Sequence, residues 1–188
     1  MKKRAFVPEK LDIETFIRDE ADLNGTWPAA SMSRLAEAAA PESPAEGWPV
    51  VEWALKGELR EQRRAEPQLW LQTEATGTVQ LTCQRCLKPV EESLQISRWF
   101  RFVGSEDEAV SLDADSEDDV LALTRHLDAQ ELIEDELLLA LPLVPRHEIC
   151  PDPLPAPAED LVEEGEEEDE RPNPFAKLAA LKGKGPTQ

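Results

Sequence analysis

Cysteine and histidine are scarce in this chain, with three cysteines and two histidines among 188 residues. A small odd number of cysteines cannot build a disulfide framework, and in a reducing compartment such residues serve as thiols or metal ligands. The two histidines are His126 and His147, and there is no nucleophile elbow and no glycine-rich phosphate loop, so hydrolytic catalysis has almost no machinery. Long apolar runs are missing too. No window reaches the roughly 20 apolar residues of a membrane span. The basic opening Met1 to Arg4 runs into the mixed sequence Ala5 to Lys10, so no secretory signal is expected and a cytoplasmic protein is. Positive charge is absent where negative charge is densest. Glu106 to Asp119 holds eight carboxylates and Glu159 to Glu170 nine, with no Lys or Arg in either; taking those 17 from the formal net charge of −20 leaves about −3. The acidity is therefore local, and general repulsion of nucleic acid does not follow. Carboxylates crowded into such runs have nothing to hold a catalytic pair at a fixed separation, a further reason to expect a non-enzymatic protein.

What is present is enough for one ordinary core, at 21.0 kDa, with appendages. Ile13 to Asp22 has a helical pattern that Gly25 and Pro28 terminate, and Ser31 to Ala40 is a better helix closed by Pro41 to Pro49. Alternation then takes over. Val51, Trp53, Leu55, Gly57 and Leu59 stand between Glu52, Lys56, Glu58 and Arg60, the period-2 signature of a half-buried strand. Leu69 to Glu74 and Thr78 to Cys83 extend it, with Gly77 as a turn or bulge, and Val90 to Val103 places Leu94, Ile96, Phe100 and Phe102 on one face. Gly104 to Asp119 is too acidic and too poor in apolar residues to pack and is expected as a mobile loop. Asp128 to Glu131 resembles a capping box, followed by a helix rich in Leu132, Ile133, Leu137, Leu138, Leu139 and Leu141. Its Glu131, Glu134, Asp135 and Glu136 are expected to face water, and Pro142 and Pro145 end it. The expected architecture is α+β: an antiparallel sheet of about four strands packed on helices. Residues 1–48 form a helical segment, 49–150 the core domain with the acidic loop 104–119, 151–172 a disordered acidic linker, and 173–188 a docking helix and tail.

Cys83-Gln84-Arg85-Cys86 ends a predicted strand, and His147-Glu148-Ile149-Cys150 follows the apolar helix. Two-residue spacing lets both members of each pair reach one tetrahedral ion, so Cys83, Cys86, His147 and Cys150 are candidate ligands of a structural zinc. The competing reading is a tight turn framed by reduced thiols, with His147 exposed. A redox pair is disfavoured, because strands rather than a helix N-terminus flank it. Around the predicted sheet Arg60, Arg63, Arg64, Arg85, Lys88, Arg98 and Arg101 are interleaved with Trp53, Trp70 and Trp99. Such a mixture can grip phosphates and stack bases, and Arg85, Lys88, Arg98 and Arg101 are the candidate RNA contacts. It can equally be a core Trp53 with basic gatekeepers on strand edges.

The far end carries a short helix cassette. Asn173 is an N-cap, Pro174 suits the first helical position, and Gly183 suits a C-terminal stop. Phe175, Leu178 and Leu181 share one face, and so few residues cannot hold a helix alone in water. Asn173, Pro174, Phe175, Leu178 and Leu181 are therefore expected to dock, on this chain's own domain or on a partner. The acidic runs serve either to solubilise the chain or to attract a basic protein.

Three segments together carry a resemblance: Cys83 to Pro89, Glu134 to Pro145, and Asn173 to Leu178, in this order and with an acidic spacer before the last. They resemble the bacterial large ribosomal RNA subunit accumulation protein family, the YceD-like proteins, over roughly Pro49 to Lys182. The resemblance implies a non-enzymatic role in the synthesis, processing or stability of large-subunit ribosomal RNA, with a large-subunit precursor or a ribosomal or assembly protein as partner. The expected mechanism is an adaptor. Its competitors are an acidic chaperone that shields a basic ribosomal protein without touching RNA, and a zinc-dependent RNA hydrolase, which needs an open metal position.

Overall fold

A computed structural model describes residues 5–151, apart from 64, 115 and 117, and its centre is a long β-hairpin. Strands β3 (Gln68–Thr82) and β4 (Pro89–Val103) pair antiparallel from Leu69 opposite Phe102 to Thr82 opposite Pro89. Alternation places Leu71, Ala75, Val79 and Leu81 of β3 and Leu94, Ile96, Phe100 and Phe102 of β4 in the core. Strand β2 (Val51–Arg60) joins β3 antiparallel, and its Val51, Trp53 and Leu55 are buried while Glu52 and Lys56 are exposed. Gly77 neither turns nor bulges; it pairs with Leu94 in mid-strand, so the two segments expected around it are one strand.

Two further strands complete the sheet in the order β1-β2-β3-β4-β5, and the α+β class holds with five strands in a mixed sheet rather than about four antiparallel ones. β1 (Asp22–Trp27) pairs antiparallel with β2, while β5 (Asp119–Ala122) runs parallel to β4. β1 escaped the pattern because its Asn-Gly centre reads as a turn and Trp27 is its one buried side chain. Gly25 is needed there for space. A Cβ on it would lie 2.8 Å from the Trp53 ring, which stacks on Trp27 with centroids 4.3 Å apart. Residues 5–48 thus hold an edge strand in addition to the helices expected there.

The acidic loop expected at 104–119 is also corrected, since it contains α3 (Glu106–Asp113) and the first residue of β5. The Ser105 hydroxyl accepts the Glu108 N–H at 3.3 Å, and Glu106, Asp107 and Glu108 sit at the positive end of the helix, where carboxylates stabilise it. Ala109 and Leu112 pack with Val103, Val120 and Ala122 in a small second core. Two apolar residues of the helix against three on the neighbouring strands suffice for so short an element.

Helix α1 (Ile13–Arg18) is capped by the Asp12 carboxylate, which accepts the Thr15 N–H at 3.1 Å, and it buries Ile13, Phe16 and Ile17. It crosses β2 at Gly57, where an added Cβ would lie 2.8 Å from Ile17 Cα and 2.9 Å from the Phe16 carbonyl oxygen. Helix α4 (Ala129–Leu139) begins as its sequence predicts, with the Asp128 carboxylate accepting the N–H groups of Gln130 and Glu131 at 2.9 and 3.1 Å. Its Glu134 and Glu136, expected to face water, are buried instead. Glu136 pairs with Arg98 of β4 at 3.2 Å; burial pushes its carboxyl up from the ordinary value, and Arg98 opposes the shift. Glu134 caps another helix. Helix α2 (Ser33–Glu37), a shorter piece of the one expected at Ser31 to Ala40, has Met32 at its N-cap and no local cap bond. Glu134 Oε1 accepts the N–H groups of Arg34 and Leu35 at 2.7 and 3.0 Å, and its Oε2 accepts from the Arg34 guanidinium at 3.1 Å.

Among the described residues no helix is long and apolar enough to cross a membrane. The acidic linker beyond Pro151 and the docking cassette with Asn173, Pro174, Phe175, Leu178 and Leu181 lie outside the described residues.

Gly57→Ala is expected to lower stability by about 1–3 kcal/mol, because backbone rather than a flexible side chain stands in the way; an unchanged urea midpoint would contradict the contact. Glu134→Ala should cost about 2 kcal/mol through the lost cap, and Glu134→Gln less, since an amide oxygen still accepts. Equal losses in the two variants, measured by the same unfolding curves, would show that capping is not what Glu134 contributes.

Candidate metal centre

The hairpin turn between β3 and β4 is the Cys-Gln-Arg-Cys segment itself. Cys83 N–H donates to the Lys88 carbonyl at 2.9 Å, and Leu87 N–H donates to the Cys83 carbonyl at 2.9 Å. Leu87 takes φ 61°, a left-handed conformation that the tight turn demands and that a leucine adopts at some cost. The second segment arrives from the end of α4. After Pro142 the chain runs back to the hairpin tip, where Gln84 N–H donates to the Pro145 carbonyl at 2.9 Å. This seats His147 and Cys150 beside the turn.

The four residues singled out in the sequence converge: one ligand atom from each of Cys83, Cys86, His147 and Cys150 lies within 4.8 Å of the others. Cys83 Sγ is 3.9 Å from Cys150 Sγ, and Cys86 Sγ is 3.4 Å from His147 Nδ1. A tetrahedral zinc with bonds of about 2.3 Å to sulfur and about 2.0 Å to nitrogen has edges near 3.8 Å for S···S and 3.5 Å for S···N. Both observed separations match. A disulfide, at about 2.05 Å between sulfurs, does not. The tautomer is fixed as well. His147 Nε2 lies 2.9 Å from the Pro89 carbonyl, which can only accept, so Nε2 carries the proton and Nδ1 presents its lone pair to the centre. The arrangement of donors therefore fits a tetrahedral soft-metal ion.

Electrostatics favour a thiolate at the buried corner. Burial alone pushes the Cys83 thiol up, but the backbone N–H groups of Cys86, Arg85 and His147 bring it down to about 5. Cys150 is held above its ordinary value by burial first and then by hydrogen bonds shared with Cys86 and Cys83. Arg85 Nη2 donates to the His147 and Glu148 carbonyls, the latter at 3.1 Å, lacing the turn to the second segment.

The four candidate RNA contacts do not form one surface. Arg85 is committed to the carbonyls just described, Lys88 pairs with Glu42 at 3.4 Å, and Arg98 pairs with Glu136 of α4. Arg101 lies on the opposite sheet face, level with Trp70, and its buried Nε has no hydrogen-bond partner. On that face Arg60 stacks over Trp70 and Trp99 at 4.0 and 4.5 Å from their ring centroids, while Glu58 holds it at 2.6 Å. Arg64 lies outside the described residues. Sequence reasoning missed the backbone carbonyls of Pro89 and Pro145, which position the ligands and leave no compositional trace.

The profile of the family described as Large ribosomal RNA subunit accumulation protein YceD matches residues 71–182, from the fourth residue of β3 through all four candidate ligands. The chain belongs to the YceD family. A relative from Haemophilus influenzae, named Large ribosomal RNA subunit accumulation protein YceD, is 37% identical over 106 residues, which are 56% of this chain and 61% of that protein. The match thus covers less than two thirds of the relative's length. No solved structure matches the chain significantly. Both cysteines of the turn and both residues of the second segment fall inside the YceD match, whereas α1, α2, β1 and β2 precede it.

In metal-free protein, thiolate absorbance in the ultraviolet is expected to grow in around pH 5 and to be missing from Cys83→Ser. The folded value lies below the ordinary 9.0, so the stability Cys83 contributes is complete above about pH 9 and is lost as pH falls through about 5. A thiolate signal appearing only near pH 9 would remove the N–H-stabilised corner.

Proposed function

We propose that the chain is a cytoplasmic, non-enzymatic adaptor in the accumulation of large-subunit ribosomal RNA, with a structural zinc held by Cys83, Cys86, His147 and Cys150. The observation that carries the mechanism is the closed ligand set. Three sulfurs and one ring nitrogen converge on one point, and four protein ligands fill a tetrahedral ion. Catalytic zinc keeps a position open for water; a Cys3His centre supplies a crosslink instead. Zinc here would bind the hairpin turn to the segment after α4 and compensate the thiolate charge. Family membership supports the process, since the Haemophilus influenzae relative is named for large ribosomal RNA subunit accumulation. A rigid, stapled domain without a catalytic position works by holding partners. The cassette Asn173 to Gly183, a well-capped apolar-faced pattern at the end of an acidic run, supplies a second contact.

Purified protein is expected to carry about one zinc per chain by elemental analysis and to lose it in Cys86→Ser and in His147→Ala. In cells, deletion of residues 173–188 should lower large-subunit relative to small-subunit ribosomal RNA while zinc content stays at the full-length level. An unchanged RNA ratio would overturn the adaptor; full-length protein without zinc, purified under reducing conditions, would overturn the staple.

A further inference from the structure

We infer that Arg85 is the positioning residue of the metal centre: from inside the first ligand pair it holds the second pair in place and supplies the positive charge that a three-thiolate site lacks. This rests on the zinc reading above. By ligand count Gln84 and Arg85 are only the spacers between Cys83 and Cys86. In the fold both reach across to the other segment. The Gln84 backbone N–H donates to the Pro145 carbonyl, two residues before His147, and Arg85 Nη2 donates to the carbonyls of His147 and Glu148, the latter at 3.1 Å. The two contacts ask different things of the sequence. Any residue but proline offers a backbone N–H, whereas meeting two successive carbonyls from one nitrogen takes a long side chain with several donors.

Those carbonyls belong to two of the three peptide planes that join His147 to Cys150, so the bonds fix the spacing of the second pair as the hairpin turn fixes the first. The Pro89 carbonyl holds the His147 ring from its far side. Without Arg85 the metal itself would have to order this stretch, and its affinity would fall accordingly. Charge points the same way. Three thiolates on a dication leave one net negative charge, which a neighbouring cation cancels. The Arg85 charge acts on Cys150, whereas Lys88 is taken up by Glu42 at 3.4 Å. Arg85 also lies at the surface, outside the apolar core, so its replacement leaves the domain folded.

The test uses full-length protein stripped of metal and reloaded with zinc or cobalt(II), as the parent and as Arg85→Ala, Arg85→Lys and Arg146→Ala, the last removing an exposed cation next to His147 in the chain. Zinc affinity, measured by competition with a chromophoric chelator, is expected to fall about 10- to 100-fold in Arg85→Ala. Arg85→Lys keeps the charge but not the planar fork and should recover part of that loss, while Arg146→Ala should bind as the parent does. The visible cobalt spectrum is the readout that a merely structural role would not move. At equal cobalt loading the bands of the tetrahedral thiolate site should weaken in Arg85→Ala, as the second ligand pair gives way to water. Melting temperatures of the metal-free proteins should agree. Equal zinc affinity in the parent and Arg85→Ala, an equal loss in Arg146→Ala, an unchanged cobalt spectrum, or a lower metal-free melting temperature in Arg85→Ala would each overturn the inference and leave the staple standing. A parent that takes up neither metal would overturn the staple, and the inference with it.

Discussion

The β3–β4 hairpin outruns the sheet that supports it, and much of the remaining structure answers that overhang. Pairing of β2 with β3 stops at Glu52 opposite Thr76, whereas β3 and β4 stay paired to Thr82 and Pro89. Six residues per strand, about 20 Å, therefore project as a two-stranded ribbon, which is marginal in water by itself. It is braced from both sides. On one side Ala40 N–H donates to the Gln80 carbonyl at 2.8 Å and Glu42 holds Lys88. On the other, the segment after α4 brings Pro145, His147 and Cys150 to the tip. The metal-ligand geometry is thus the end of a structural argument that begins with strand length.

Helix α4 is the second organising element, because three consecutive carboxylates tie it to α2 and to the sheet. Glu134 caps α2, Asp135 pairs with the Arg34 guanidinium, and Glu136 pairs with Arg98 on the sheet. The ion pairs themselves contribute little, since the Arg34 and Arg98 side chains are 43% and 55% exposed and water screens them. Most of the effect comes from the two backbone N–H groups of α2, which have no local cap, and from a buried carboxylate that needs donors once desolvated.

What could be read from the sequence follows the same physics. The alternation of β2, β3 and β4 and the Asp128 cap of α4 were legible because each is a local pattern tied to a period or a spacing. The Cys83/Cys86 and His147/Cys150 pairs were legible as pairs, but their convergence depended on the path of α4. β1, β5 and α3 were hidden: each is short, each buries one or a few side chains, and α3 forms in a stretch whose composition alone reads as unfolded. The burial of Glu134 and Glu136 was beyond reach, since their partners lie 100 residues away in one case and 38 in the other. The basic residues around the sheet looked like one group in sequence, yet alternation sends Arg98 and Arg101 to opposite faces.

The long-range cap also sets an order of events during synthesis. Helix α2 spans five residues and has no cap of its own, so it is too short to persist until a carboxylate made 100 residues later arrives. A chain emerging from its N-terminus therefore holds Leu35 and its neighbours uncommitted until α4 has left the ribosome, and α2 docks only then.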